Sequence, residues 1–376
     1  MLCAGLAIFN ALYCTQALLP ALVDDLHITP ATAALTVSAA TGALALCVVP
    51  ASILSEKFGR GPVLKMSALG ATALGLLLPL APSAGVLIGL RASQGLVIAG
   101  VPAVAMTWLA EELDPRDLDH AMGLYIAGNT LGGLSGRLIP AGLLEVTTWR
   151  WALTTSSVLA IALALAMTAL LPTQRRFTPK TINPAHEFGA MLGHLRDSRL
   201  LGLYAIAFLG MGTFVSVYNF FGFRMIRTFG LKPALVGLVF LMYLAGTWSS
   251  ARAATLSKRY GRGTMLVTGA ALMLLGTVAL ISNALWLSLI GLFIFTASFF
   301  IMHSVASSSV GIIARKDRAE ASSLYLFNYY VGSSVIGGAS GLVFSAAPWP
   351  GFVAYLTTLV ALALAASIAL RRRIRS

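Results

Sequence analysis

Charge is what this sequence has least of. Only 10% of its 376 residues are Asp, Glu, Lys or Arg, against about a quarter in a water-soluble globular chain. That shortfall excludes an ordinary soluble domain. Acids are scarcest, with 13 Asp and Glu against 26 Lys and Arg, and every acid falls in a polar gap or near the end of an apolar run. Cysteine is almost missing. Cys3, Cys14 and Cys47 all lie in apolar runs near the start, which excludes a disulfide framework and offers no metal site. No HExxH, no GxxxxGK[ST] loop and no nucleophile elbow occur, so neither an enzyme nor a cofactor is expected. The net charge of +13 does not indicate nucleic acid, because the basic residues sit in short gaps and form no continuous face. A basic start is also missing before the first apolar run. Leu2–Val23 is therefore read as a first spanning helix retained in the mature protein, not a signal peptide.

What fills the chain instead is hydrophobic sequence, at 58% of residues with a mean hydropathy of +0.85. Runs of about 18 or more apolar residues span a bilayer, and backbone in lipid must be helical to satisfy its own hydrogen bonds. Twelve such spans are expected: Leu2–Val23, Ala31–Leu54, Pro62–Leu80, Ala84–Ala110, Ala121–Leu144, Trp151–Leu171, Leu200–Phe223, Ala234–Leu256, Thr264–Ile281, Ala284–Ile313, Ala321–Ala346 and Phe352–Leu370. The gaps after even-numbered spans, with the C-terminus and the residues just inside the adjoining helix ends, hold 20 of the 26 Lys and Arg, and the opposite gaps hold four. By the positive-inside rule both termini are then cytoplasmic. Arg224, Arg227 and Lys232 run against the trend.

The longest gap follows the sixth span and carries Pro172, Pro179 and Pro184. It divides the chain into a six-helix bundle over 1–172, a cytoplasmic linker over 173–199 and a second bundle over 200–376. The two halves echo each other. SEKFGRGPVL at Ser55 returns as SKRYGRGTML at Ser257, 202 residues later, with five of ten positions identical. Leu124, Tyr125 and Gly132 return as Leu324, Tyr325 and Gly332, and Trp149 returns as Trp349. Two parallel six-helix halves related by an axis along the membrane normal are a transporter architecture.

Ser52-Ile53-Leu54-Ser55-Glu56-Lys57-Phe58-Gly59-Arg60-Gly61 resembles the loop G-x-L-[AS]-D-[RK]-x-G-R-[RK] between helices two and three of the major facilitator superfamily. It departs at Ser52, Glu56 and Gly61. With twelve spans, the whole chain resembles that superfamily: an all-α membrane protein of two pseudo-symmetric six-helix bundles. The stretches GLYIAGNTLGGLSGRLI from Gly123, YLAGTWSS from Tyr243 and HSVASS from His303 resemble its YnfM-type, or acriflavine-sensitivity, group. That resemblance implies an inner-membrane transporter of the exporter kind.

Several residues then acquire expected roles. In the superfamily the loop's acid faces the start of helix eleven and its arginine pairs with an acid ending helix four. Glu56 would thus face the amides near Ala321–Ser323, and Arg60 would pair with Glu111 or Glu112, forming a cytoplasmic latch turned on Gly59. The alternative is that these charges only set topology. In the second copy, with Gly261 and Arg262, Lys258 replaces the acid. Lys258 or Arg259 would pair with Asp114, Asp117 or Asp119, giving a latch of reversed polarity. Arg91 with Gln94 resembles the helix-four motif R-x-x-Q-G tied to proton coupling; a structural arginine bonded to carbonyls is the alternative. Gly128, Gly132 and Gly136 recur every fourth residue, as packed helices require. They resemble the antiporter motif G-x-x-x-G-P-x-x-G-G, with Gly133 in place of proline and Arg137 in place of the last glycine.

Polar side chains within spans usually face a cavity or another helix. Asn10, Tyr13, Gln16, Tyr125, Asn129, Arg137, Ser216, Asn219, Tyr325 and Asn328 are assigned to a central substrate cavity, with interhelical hydrogen bonding as the alternative. His303 is the only mid-span group that titrates near neutral pH, and is a candidate proton carrier. The expected function is secondary active transport by alternating access, with proton-driven export of a small amphipathic compound first. Uptake or facilitated movement of a metabolite is the alternative, and a non-transporting receptor on the same fold is a different class. Expected partners are a small-molecule substrate, protons and the lipid bilayer, with no nucleic acid and a monomeric state.

Overall fold

A computed structural model of the chain describes residues 1–177 and 184–373. Twelve long helical rods account for most of them: α1 (Leu2–Leu26), α2 (Pro30–Phe58), α3 (Arg60–Leu80), α4 (Ala84–Glu112), α5 (Pro115–Leu143), α6 (Trp149–Leu170), α7 (Ser198–Phe229), α8 (Pro233–Tyr260), α9 (Arg262–Ala279), α10 (Leu285–Ile313), α11 (Arg318–Ala346) and α12 (Trp349–Arg371). Ten of the helices are long and apolar enough to cross a membrane by length and composition. The other two, α5 and α11, are 29 residues each. Their apolar runs are interrupted by glycine and polar side chains, the same feature that marked them as cavity helices. Large apolar side chains such as Leu46, Met66, Trp151, Trp286 and Leu342 point outward, as a lipid-facing coat requires.

The helices start and stop where the sequence dictates. Thr29 caps α2 by accepting from Thr32 N at 3.1 Å, ahead of Pro30, and Ser83 caps α4. α7 starts on Asp197, whose carboxylate accepts from Arg199 N at 2.8 Å and meets the Arg199 guanidinium at 2.8 Å. That hydrogen-bonded pairing holds the Asp197 carboxyl below its usual range. A short helix not expected from hydropathy, Pro184–His194, lies in the linker; residues 178–183 of the linker lie outside the description. Three rods are not continuous. α1 breaks after Tyr13 into a 3-10 turn at Gln16–Leu18, α4 is interrupted at Ala99, and α8 holds a 3-10 turn at Leu238–Leu241.

The chain forms two compact units. The first holds α1–α6 with the segment Leu231–Phe240, and the second holds α7 to Gly230 and the chain from Leu241. In the first, α1 packs along α5 through the glycine stripe. A methyl group built on Gly128, Gly132 or Gly136 would lie 2.5 Å from Leu2 O, 2.6 Å from Gly5 O and 2.5 Å from Asn10 O, respectively. The second unit repeats the device, since a methyl on Gly332 of α11 would lie 2.1 Å from Phe208 O of α7. The two copies of the turn also share a backbone. Gly59 has φ +95° and Gly261 has φ +84°, a region that strains any residue with a Cβ. Each ends one helix and starts the next with no residue between.

Replacing Gly132 by Ala is expected to force α1 from α5 and destabilise the protein by about 1–3 kcal/mol, the usual cost of overpacking. Gly123, on the same helix, has nothing within 4 Å of its would-be Cβ, so Gly123→Ala should be neutral or mildly stabilising. Thermal unfolding of the two variants in detergent checks the contrast. Equal melting would remove the stripe as a packing device.

Candidate functional site

The turn at Ser55–Leu64 builds an ion cluster in the first unit. Arg60 is 5% exposed, and its guanidinium donates to Glu111 Oε1 at 3.1 Å, to Ser55 Oγ at 2.6 Å and to Glu56 Oε1 at 3.5 Å. Of the two acids offered by sequence, Glu111 is the partner. Glu112 accepts instead from the backbone N–H of Arg175 and of Arg176, both at 2.9 Å. Glu56 is thus engaged within its own unit. Two members were missed. Gln174 accepts from Gly61 N at 3.1 Å and reaches Glu111 at 3.5 Å, and nothing local marks it. Ser55 carried a signal that could have found it, since it is one of the five identities between the two copies.

Arg91 is fully buried. It donates to Ala11 O at 2.7 Å, to Thr36 O at 2.9 Å, and also to Leu12 O and Gln94 Oε1. The break in α1 after Tyr13 explains the geometry. With no helical turn continuing above them, the carbonyls of Ala11 and Leu12 need outside donors, and the guanidinium supplies them. Gln94 passes the bond on by donating to Ala71 O at 2.9 Å. One side chain of α4 and its neighbour therefore tie α1, α2 and α3 together. This is the carbonyl-bonded reading of Arg91.

Arg137 lies 2% exposed on α5. Its guanidinium donates to Gln16 Oε1 at 2.7 Å and to Gly133 O at 2.6 Å, and stacks 3.9 Å from the Tyr13 ring centroid. A Cβ on Gly133 would come within 3.1 Å of Arg137 Nη1. The two departures from the antiporter motif are therefore one: glycine in place of proline makes room for arginine in place of glycine. Asn10 lies elsewhere. It takes the amide orientation that donates to Ser156 O at 3.2 Å and accepts from Ser135 Oγ at 3.0 Å and Gly136 N at 3.2 Å, an interhelical tie among α1, α5 and α6. Tyr125 is buried and Asn129 half-buried, one turn apart on α5, with Asn129 beside Gly5 of α1.

In the second unit His303 Nδ1 of α10 lies 3.0 Å from the Tyr325 hydroxyl of α11, and that hydroxyl lies 3.3 Å from His303 O. The imidazole packs against Phe299 and Tyr329, with ring centroids at 5.9 and 4.8 Å. Ser216 bonds Ser340 at 2.6 Å across α7 and α11, Asn328 donates to Leu324 O of its own helix at 2.8 Å, and Asn219 is buried on α7. At the second copy of the turn, Arg262 donates to Ser308 Oγ at 2.8 Å, Lys258 lines a crevice beside it, and the Arg259 guanidinium lies over Tyr260 at 5.2 Å. Asp114 caps α5 by accepting from Arg116 N at 3.3 Å, and the side chain of Asp119 lies outside the described residues.

Membrane-crossing helices in two similar six-helix units, with buried polar groups on α1, α5, α7 and α11, define a membrane transporter. The comparisons give its family. The model of the Major Facilitator Superfamily matches residues 1–253, and the chain belongs to that superfamily. It is 40% identical over 374 residues to the inner membrane transport protein YnfM of Escherichia coli, covering 99% of this chain and 90% of that one. It is 37% identical over 373 residues to the MFS-type transporter YybF of Bacillus subtilis, covering 99% and 92%. Among solved structures, an inward-facing bacterial homologue of the lysosomal transporter Spinster matches with a TM-score of 0.77 at 16% identity, over 99% of this chain and 95% of that one.

Removing the Arg91 guanidinium should be costly because several buried carbonyls lose their donor together, at about 1–3 kcal/mol each. Arg91→Ala is expected to melt well below wild type, and Arg91→Lys to fall between, since one ammonium cannot span the same carbonyls. Thermal unfolding of purified protein measures this. An Arg91→Ala variant as stable as wild type would show that the clasp holds nothing.

Proposed function

We propose that the protein is a proton-coupled exporter of a small amphipathic compound, working by alternating access in the inner membrane with both termini in the cytoplasm. The export direction rests on the likeness to the YnfM-type group. The proton arm rests on one observation, the hydroxyl of Tyr325 placed between His303 Nδ1 and His303 O at 3.0 and 3.3 Å. A neutral imidazole with a bare Nδ1 accepts from the hydroxyl. A protonated one donates Nδ1–H to the phenol oxygen, and the phenol hydrogen turns to the carbonyl. Both protonation states are then satisfied without moving either helix. Such a group exchanges its proton when the cavity beside it alternates between wet and dry. Arginine cannot do this, because it stays charged at any working pH.

As substrate contacts during the cycle we propose Arg137, Tyr13 and Gln16 of the first unit and, independently, Asn219 and Asn328 of the second. The Arg60 cluster holds the cytoplasmic side, with Glu56 turning toward the start of α11 when that side closes. Lys258 or Arg259 would serve the acids of α5 in the same way.

For the carrier, His303→Gln is expected to abolish proton-driven efflux of a fluorescent amphipathic dye from proteoliposomes. It should leave dye exchange at equal pH on both sides intact. Tyr325→Phe should reduce coupling in the same direction. Substrate-dependent proton movement at the wild-type level in His303→Gln would reject the histidine. For the latch, Glu111→Gln leaves the buried Arg60 with Ser55 and, as its remaining carboxylate in the cluster, Glu56 at 3.5 Å. Faster labelling of cysteines placed in the cytoplasmic vestibule is expected, with transport reduced severalfold. Unchanged labelling and unchanged transport would reduce the turn to a topology signal.

A further inference from the structure

The two copies of the turn share backbone and sequence but differ in what their arginine meets. Arg60 is buried among Glu111, Glu56 and Ser55. Its counterpart Arg262 meets no acid among the described residues. Lys258 stands where Glu56 stands, and the end of α10 that corresponds to Glu111 reads Gly311-Ile312-Ile313. The result is a crevice of about 290 Å³, lined by Lys258, Arg262, Ser250, Ser257, Ser304 and Ser308, with Ala253, Ala254 and Val305. That is well beyond the ~10–15 Å³ that a single water needs on such a measure.

Its polar groups are only partly engaged. Arg262 uses Nη1 on Ser308 Oγ at 2.8 Å and Ser309 Oγ at 3.5 Å, and Ser250 bonds Ser304 at 2.6 Å. Lys258 has no hydrogen-bond or ion-pair partner among the described residues, and neither do the other nitrogens of Arg262. Ser257, counterpart of the Ser55 that holds Arg60, is 8% exposed and its hydroxyl is buried without a partner. A buried hydroxyl left unbonded is costly. Two cations facing one space repel until an anion joins them. Lys258 is exposed and Arg262 half-buried, so water serves them where no ligand does; a compact oxyanion in the crevice would accept from the ammonium, the guanidinium and the hydroxyls together.

We infer that this crevice is an anion-binding site for a phosphate group, taking from outside the negative charge that Glu56 and Glu111 supply from within in the first half. Its position at the end of three helices, with an apolar wall of Ala253, Ala254 and Val305, suits the phosphate of an anionic lipid headgroup. Free phosphate carries the same chemistry.

The test uses the full chain. Native mass spectrometry of the protein from mixed micelles of phosphatidylglycerol and phosphatidylcholine reads the lipid arm. Thermal unfolding in inorganic phosphate against chloride at equal ionic strength reads the free-ion arm. Retention of phosphatidylglycerol over phosphatidylcholine, undisturbed by phosphate, assigns a lipid. A rise in melting temperature with phosphate in neutral detergent assigns the free ion. In either arm, Lys258→Gln should weaken binding about tenfold, as loss of one charge-assisted hydrogen bond does. Ser257→Ala should weaken it less. Lys258→Glu installs the first copy's acid and should abolish binding while the protein stays folded. Arg259→Gln removes an equal charge from outside the crevice and should leave anion binding at the wild-type level. Binding in neither arm would overturn the site, and so would equal losses in Arg259→Gln and Lys258→Gln, which mean diffuse surface charge.

Discussion

The first half of the molecule hangs on a single guanidinium. Arg91 replaces the helical donors that α1 forfeits by breaking after Tyr13, and its bonds to Ala11, Leu12 and Thr36, extended by Gln94 to Ala71, join four helices at a depth where water cannot help. The irregular stretch of α1 is tolerated because protein donors cover it. It also places Gln16 beside Arg137. Without the clasp, the carbonyls of Ala11 and Leu12 lose the side-chain donor that covers them. Arginine suits the task because its planar fork reaches several carbonyls at once.

The second half repeats the scaffold and not the electrostatics. The turn, its positive-φ glycine and the glycine contact between the first and fifth helices of each half recur. Backbone geometry is therefore what the repeat preserves. Charged partners differ at nearly every equivalent point. Arg60 finds carboxylates and Arg262 finds hydroxyls. The first half concentrates its buried charge, with Arg91 and Arg137, and the second offers an imidazole among aromatic rings. The halves thus differ in kind: one is braced by buried fixed charges, and the other sets an imidazole among aromatic rings.

Much of this was legible in the sequence, because lipid imposes simple rules. Hydropathy located the ten helices that are long and apolar enough to cross a membrane, and four-residue glycine spacing marked a closely packed face of α5, whose partner α1 only the structure names. The Arg60 pairing was legible down to two adjacent acids. Choosing Glu111 over Glu112 needed the helix phase and the returning linker at Arg175 and Arg176, which no local pattern carries. The break in α1 was not predicted; Pro20, which opens the helix after it, is the local signal, while the partner that covers the freed carbonyls, Arg91, sits on α4. Asn10 looked like Tyr13 and Gln16 by spacing. It turns to Ser135 and Ser156 because the helix ends between it and Gln16. The linker helix Pro184–His194 was missed because hydropathy detects only what lipid must bury.

The partners of α1 are scattered late in the chain: Arg91 on α4, Gly132 and Arg137 on α5, Ser156 on α6. These ties join residues 79 to 146 positions apart in the chain. The buried polar groups of α1 are therefore met by distant helices rather than by its neighbour in sequence, and α1 gains its full set of partners only when α4, α5 and α6 are packed against it.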